Sequence, residues 1–239
     1  MRFERKNILL IGGTSGIGLA TTRLLHQEGA NVTVASRKTS DEIRELGIAH
    51  VTLDVLQFDP AFIDDLPGEL HGLIYFPGTI KLRPFERMSV EDFRQEYELN
   101  VLGAVQYIKA VMPLLKKPEN ASIVLFSTVA ARLGMPFHAS IASCKAALEG
   151  LTVSLAAEYA TTGIRVNAIA PSLTQTPLAQ PLLNTPEKAE AAAKRHPLGR
   201  VGKPDDMAHA AAYLLSDESG WMTGQILHPD GGMSSIKLL

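Results

Sequence analysis

Gly12-Gly13-Thr14-Ser15-Gly16-Ile17-Gly18 stands between a short apolar run, Asn7-Ile8-Leu9-Leu10-Ile11, and a segment from Ile17 to Gln27 whose apolar residues recur at helical spacing. Glycine takes positive φ in a tight turn and, lacking a side chain, lets a bound anion come close to the backbone. A helix that starts at the end of such a turn offers unpaired N–H groups and the positive end of its dipole. Gly12, Thr14, Ser15, Gly16, Ile17 and Gly18 are therefore read as a pyrophosphate-binding turn. A lone glycine-rich turn is a weak signal. Its position between a strand and a helix, inside the first βαβ unit, makes it a strong one, with a plain tight turn as the alternative.

The same alternation continues outward. Asn31-Val32-Thr33-Val34-Ala35, His50-Val51-Thr52-Leu53, Gly72-Leu73-Ile74-Tyr75-Phe76, Ser122-Ile123-Val124-Leu125-Phe126, Arg165-Val166-Asn167-Ala168-Ile169 and Gln225-Ile226-Leu227 read as further strands. Helical segments are expected from about Val90 to Leu115 and from Ile141 to Tyr159. Strands apolar on both faces and alternating with helices predict an α/β fold, a single-domain Rossmann-type doubly wound parallel sheet of about seven strands with helices on both faces. In such a sheet ligands bind at the carboxyl ends of the strands. No repeat or inter-domain linker interrupts residues 1–239, so one domain is expected. The stretch from Pro171 to Pro204 is less regular, with Pro177, Pro181, Pro186 and Pro197 around an Ala/Glu/Lys-rich piece, and a substrate lid is expected over about 172–203.

Composition narrows the class. The 239 residues carry 23 Lys and Arg against 25 Asp and Glu, a formal charge of −2, so the basic footprint of a nucleic-acid binder is missing. Hydrophobic residues make up 46% and charged residues 20%, too apolar for a disordered chain. There is no apolar run of about 18 residues and no signal-peptide pattern at Met1-Arg2-Phe3-Glu4-Arg5-Lys6, and the single cysteine, Cys144, cannot form an internal disulfide. The expectation is a cytoplasmic protein without membrane or nucleic-acid partners. Seven scattered histidines without clustered carboxylates give no metal site, and the nucleophile-elbow pattern is absent because Gly13-Thr14-Ser15-Gly16-Ile17 brings its second glycine one position early.

The end of the second strand bears on the choice of dinucleotide. An NAD site wants an acidic residue about 20 positions beyond the turn to bind the ribose 2′-hydroxyl. Here the position holds Ser36, followed by Arg37 and Lys38. With no carboxylate to repel it and a guanidinium to pair with it, a 2′-phosphate is favoured, hence NADP(H) over NAD(H).

These residues, taken with others downstream, resemble the short-chain dehydrogenase/reductase family over nearly the whole chain. The marks are GGTSGIG at 12–18, Asp54-Val55, Asn100 in ELNVLG, Ser127-Thr128, Lys145 before an alanine-rich helix, RVNAIAPSLTQT at 165–176, GRVGKPDDMA at 199–208 and TGQILHPDGG at 223–232. The resemblance implies that Asp54 and Val55 contact the adenine and that the loop of Pro171, Leu173 and Thr176 holds the nicotinamide carboxamide and phosphates. It implies that Pro77 and Gly78 pass close to the cofactor and that Ser127 flanks it. A homodimer or homotetramer built on the last strand and its helix is implied as well. Catalysis in the family uses a tyrosine four positions before a lysine, a serine about 13 before the tyrosine, and an asparagine on the long helix. Carried over, the asparagine is Asn100, the lysine is Lys145 (which also binds the nicotinamide ribose), and the serine position is Thr128.

The tyrosine position falls on Ile141, which has no proton to give. A positioned general acid contributes about 10²–10⁴-fold, or roughly 3–5 kcal/mol, whereas holding a hydride donor against its acceptor can contribute up to roughly 7–11 kcal/mol. Losing the tyrosine thus weakens ordinary ketone reduction without abolishing every hydride transfer, and an activated alkene would suffer less. A second departure is Tyr75-Phe76-Pro77-Gly78, where the family has Asn-Asn-Ala-Gly, and Ile11 stands where it prefers threonine. His138 lies three before Ile141 and seven before Lys145, one helical face if the helix has begun by then, and an imidazole suits proton transfer near neutrality. A loop histidine without a role is the alternative. Ser140 and Ser143 read as capping or packing residues, and Cys144 as a small buried one.

The resulting expectation is an NADP(H)-dependent oxidoreductase acting on a small or medium carbonyl or alcohol with an atypical proton donor. A catalytically weak or inactive NADP(H)-binding sensor or partner subunit is the alternative, and a purely structural subunit a third possibility.

Overall fold

The computed structural model describes residues 1–237; Leu238 and Leu239, the end of the expected 1–239 domain, lie outside the described residues. Strands β1 (Asn7–Ile11), β2 (Asn31–Ser36), β3 (Ala49–Thr52), β4 (Gly72–Tyr75), β5 (Ala121–Phe126), β6 (Ile164–Ile169) and β7 (Ile226–Leu227) form one sheet in the order β3-β2-β1-β4-β5-β6-β7. Every pairing is parallel. The chain winds one way from β1 to β3, returns to β4 on the other side of β1, and winds on to β7. The strand order therefore reverses between β1 and β4, the crevice where ligands of doubly wound sheets bind.

Alternation within the strands supplies the two halves of the core. Leu9, Ile11, Leu73, Tyr75, Ile123 and Leu125 point to one face, where helices α4 (Gly103–Leu115) and α5 (Ala139–Tyr159) cover them with Tyr107, Ile108, Val111, Cys144 and Leu148. Ile8, Leu10, Val32, Val34, Ile74, Val124 and Phe126 point to the other. There α1 (Gly16–Gln27) and α7 (Pro204–Leu215) supply Leu25, Met207, Ala211 and Leu214. The short α2 (Asp41–Glu45) and α7 are regular helices that periodicity had not singled out.

The expected helix from Val90 to Leu115 has an interruption. It consists of α3 (Val90–Tyr97), started by the Ser89–Asp92 capping box, one turn of π-helix over Glu98–Leu102, and α4. Two side-chain donors meet helix carbonyls there: the buried Tyr75 phenol donates to Leu99 O at 2.6 Å, beside Gly103, where a Cβ would lie 2.3 Å from that hydroxyl, and Asn100 Nδ2 donates to Glu96 O at 2.8 Å. A side-chain donor that captures a helix carbonyl favours a longer-ring turn there. Helix α5 begins at Ala139, two residues before the expected start. The segment after β6 is closed at its base by paired backbone bonds, Gln175 N–H to Gly202 O (2.9 Å) and Gly202 N–H to Leu173 O (3.0 Å), with α6 (Pro186–Ala193) between.

Candidate active site

The Gly-rich turn leaves β1 with Gly12 at φ +87° and enters α1 at Gly16 with φ +52°. Side chains are excluded here by contact as well as by φ. A Cβ on Gly18 would sit 2.2 Å from Gly12 O, and one on Gly12 would press on Phe76 and Pro77 at 3.2 and 3.3 Å. Ser15 occupies the N-cap with extended backbone, yet its hydroxyl makes no capping bond, and the first turn of α1 holds no acidic residue. The helix N-terminus thus keeps unpaired donors and a positive field with no carboxylate in the way. A Cβ on Gly16 would meet Thr176 at 3.2 Å, so the loop after β6 closes over the turn.

At the end of β2 the Ser36 hydroxyl donates to Lys38 O and accepts from His50 Nε2, both at 2.9 Å. Burial holds the His50 imidazole below its ordinary pKa. Arg37 and Lys38 are exposed and, among the described residues, belong to no ion pair. Asp54 forms an Asx turn, its Oδ1 accepting from Leu56 N–H at 3.1 Å, while its carbonyl accepts from the Tyr107 hydroxyl at 3.4 Å. Val55 is half-buried against the adjoining core.

Across the crevice, the end of β4 keeps its hydrogen bonding despite Tyr75-Phe76-Pro77. Phe76 N–H donates to Ile11 O at 3.0 Å, and the Phe76 ring packs on Phe126 with centroids 4.8 Å apart. Gly78 follows, and a Cβ there would lie 3.1 Å from Asn100 Oδ1 and 3.3 Å from Lys145 Nζ. Asn100 is aimed by the π turn: its Nδ2 donates to Glu96 O at 2.8 Å, and its Oδ1 has no protein partner though the side chain is fully buried. Lys145 donates to Phe126 O at 2.8 Å, and burial lowers its pKa to about 8.

Thr128 stands half-buried at the tip of β5, accepting from Ala130 N–H at 3.3 Å, while Val129 N–H donates to Pro171 O and joins that tip to the loop after β6. Ser127 is committed elsewhere: its hydroxyl donates to Glu149 Oε1 at 2.8 Å, and Glu149 Oε2 accepts from Arg132 Nε at 2.7 Å. Ile141 is buried one helical turn before Lys145, with Cys144 buried beside it and the thiol pKa raised by burial. Ser143 donates to Ser140 O at 2.7 Å, and Ser140 Oγ is buried without a partner. His138 is the N-cap of α5, at φ −103° and ψ 9°, with Nδ1 2.7 Å from Pro136 O. It precedes the helix, so the same-face spacing to Ile141 and Lys145 does not operate.

Some residues of this region have roles that their place in the sequence does not announce. Tyr75 and Glu149 act through contacts with distant segments, and Ser172 Oγ pairs with the buried His196 Nε2 at 2.8 Å, tying the loop after β6 to the end of α6. Among the described residues no group of three or more His, Cys, Asp or Glu is placed to hold a metal, and no helix is long and apolar enough to cross a membrane.

The family model described as enoyl-(acyl carrier protein) reductase matches residues 12–234. The 3-oxoacyl-(acyl-carrier-protein) reductase FabG of Thermotoga maritima is 36% identical, over 98% of this chain and 99% of its own length. The 2,5-dichloro-2,5-cyclohexadiene-1,4-diol dehydrogenase of Sphingobium indicum is 33% identical, over 97% of this chain and 98% of its own. Among solved structures, a short-chain type dehydrogenase/reductase from Mycobacterium ulcerans superposes with a TM-score of 0.92 at 27% identity, covering 98% of this chain and 91% of that one. With the family model matching most of the chain, and the fold and nearly the full length shared with these relatives, the chain belongs to the short-chain dehydrogenase/reductase family of oxidoreductases.

Proposed function

We propose that this protein is an NADP(H)-dependent oxidoreductase of a small or medium carbonyl or alcohol, with a proton source other than a tyrosine. The observation that carries the reading is the convergence of Asn100 Oδ1 and Lys145 Nζ over Gly78, at the crevice between β1 and β4. The crowded glycines, the uncapped Ser15 hydroxyl and the carboxylate-free start of α1 suit a pyrophosphate. Thr14, Ser15 and the N–H groups of 16–18 would hold it, with Arg37 and Lys38 on the 2′-phosphate and Ser36 between them. Asp54 and Val55 would face the adenine, and Pro77, Gly78, Pro171, Leu173 and Thr176 the nicotinamide end. When bound, the cofactor supplies the hydride.

The chain's own residues do the rest. Lys145, an ammonium in a dry site, would orient the ribose hydroxyls, and Thr128 would hold the substrate oxygen by a hydrogen bond. Asn100 offers a bare acceptor oxygen on the same wall. Ile141 contributes shape alone, and His138, at the N-cap of α5, is the candidate for moving a proton at the substrate oxygen. The segment 172–203, pinned at its base by Thr174 and Gly202, serves as the lid. Exposed Val90 and Tyr97 on α3, Leu102 on the π turn and Val153 on α5 support assembly as a homodimer or homotetramer, and the cytoplasm is the proposed location.

A second reading, cofactor binding without ordinary carbonyl turnover, is favoured by the burial of Ile141 beside Lys145. One experiment separates the two: NADPH binding and oxidation against a panel of ketones, aldehydes and activated alkenes, for wild type and Ile141→Tyr together. Turnover by wild type supports the first reading. NADPH binding with turnover only in Ile141→Tyr supports the second, and absence of NADPH binding overturns both.

A further inference from the structure

Glu96 is 2% exposed at the C-terminal end of α3, a place where a carboxylate is costly unless something compensates it. Its Oε1 accepts from the Thr79 hydroxyl at 3.0 Å, its Oε2 has no partner, and among the described residues it makes no ion pair at contact distance. Its backbone carbonyl is the acceptor that fixes the Asn100 amide, and Thr79 directly follows Gly78, over which Asn100 Oδ1 and Lys145 Nζ meet. Lys145, for its part, is buried, and among the described residues its Nζ has only the neutral Phe126 carbonyl as a hydrogen-bond partner. One unpaired buried acid and one unpaired buried base thus belong to the same small cluster.

We propose that Glu96 is a positioning residue of the site: its carboxylate, held by the Thr79 hydroxyl, is the counter-charge that keeps Lys145 an ammonium, while its backbone carbonyl holds the Asn100 amide on the wall Lys145 works on. Two opposite charges in a dry interior stabilise one another beyond contact distance, because little solvent screens them. The titratable groups whose fields reach Lys145 are Cys144 on its own helix and Glu96 from α3, and both favour the charged lysine. The Cys144 thiol is pushed toward its neutral form by burial, which leaves Glu96 as the standing negative charge.

The inference rests on the cofactor-site reading above, and its test keeps the two apart. Nitrogen NMR of Lys145 Nζ in the full chain, assigned with Lys145→Met, reads the lysine directly and needs no ligand. Glu96→Gln is expected to move its titration midpoint to lower pH by on the order of one unit. Thr79→Val, which frees the carboxylate but keeps its charge, is expected to move it much less. NADPH titration followed by fluorescence across the same pH range is the second arm: affinity should fall as Lys145 deprotonates, and fall earlier in Glu96→Gln by up to about tenfold within that window, with acid-side affinity unchanged. A midpoint unmoved in folded Glu96→Gln overturns the proposal. A moved midpoint in a chain that binds no NADPH upholds it while removing the cofactor reading.

Discussion

The Tyr75 hydroxyl donates to the carbonyl of Leu99, the residue before Asn100, at 2.6 Å, from the fourth strand to the one π turn of the long helix. Burial lifts the phenol far above its ordinary pKa, so it is a neutral donor at every working pH. The bond couples the strand that ends at Gly78 to the residue that faces Gly78 from the helix.

Tyr75→Phe should therefore cost about 1–2 kcal/mol of stability, by stranding the Leu99 carbonyl, and should weaken the function that depends on Asn100. Gly103→Ala should cost more, because its Cβ would meet the Tyr75 hydroxyl at 2.3 Å. The double variant removes the clash as well as the bond, so it should be more stable than Gly103→Ala alone. Thermal melts of the four proteins in one double-mutant cycle measure the coupling, and simple additivity would show that the two residues do not share that space.

Gly18→Ala addresses the turn itself. The added methyl would lie 2.2 Å from the Gly12 carbonyl, a backbone atom that cannot rotate away. The helix must then move off the strand, which costs about 1–3 kcal/mol by overpacking and spoils the alignment of the N–H groups of residues 16–18. Loss of NADPH-induced stabilisation, beyond the fall in Tm of the ligand-free chain, is the expected result of a thermal-shift series.

Arg37 tests the choice of dinucleotide. It is exposed just after β2 and, among the described residues, belongs to no ion pair, so Arg37→Ala should leave the stability of the ligand-free chain unchanged. NADPH affinity should fall by about 1.5–3 kcal/mol, the range of a charge-assisted hydrogen bond, while NADH affinity should barely move. Equal losses for both nucleotides would place Arg37 away from the 2′-position.

Much of this was legible because local pattern and tertiary structure agree. Asn7–Ile11 and Asn31–Val34 are apolar on both faces since both faces are covered, and the glycines at 12, 16 and 18 mark a turn that admits nothing larger. The π turn was not legible: Val90–Leu115 keeps helical periodicity, and one of the bonds at that turn comes from a hydroxyl 24 residues away in sequence. Nothing in the sequence singles out Glu96 or Glu149, and only the approach of Thr79, Ser127 and Arg132 from other segments shows them buried and bonded. The start of α5 is hidden for a smaller reason, since Ala139 and Ser140 carry too little hydrophobic signal to announce a first turn. Even so extended, the helix begins one residue after His138, which is its cap and not a member of its face.

The last prediction follows from Lys145, whose pKa is lowered from 10.5 to about 8, chiefly by burial. Below about pH 8 the lysine is charged in both the folded and unfolded chains, and folding bears the full cost of burying the charge. Between about pH 8 and 10.5 the unfolded chain holds the proton and the folded chain has released it, so the unfolded state binds more protons and stability contributed by this residue rises with pH. Lys145→Met, similar in length and apolar, has no such dependence. The variant should thus be more stable than wild type at neutral pH, by up to roughly 3 kcal/mol, with the gap closing as pH climbs through that window. Urea unfolding of the two proteins at several pH values measures the gap, and a gap that stays constant would mean that Lys145 is not the group that titrates. A stabilising variant that loses NADPH affinity would mark Lys145 as a residue kept for its charge at a cost in stability, as expected of a functional group in a dry site.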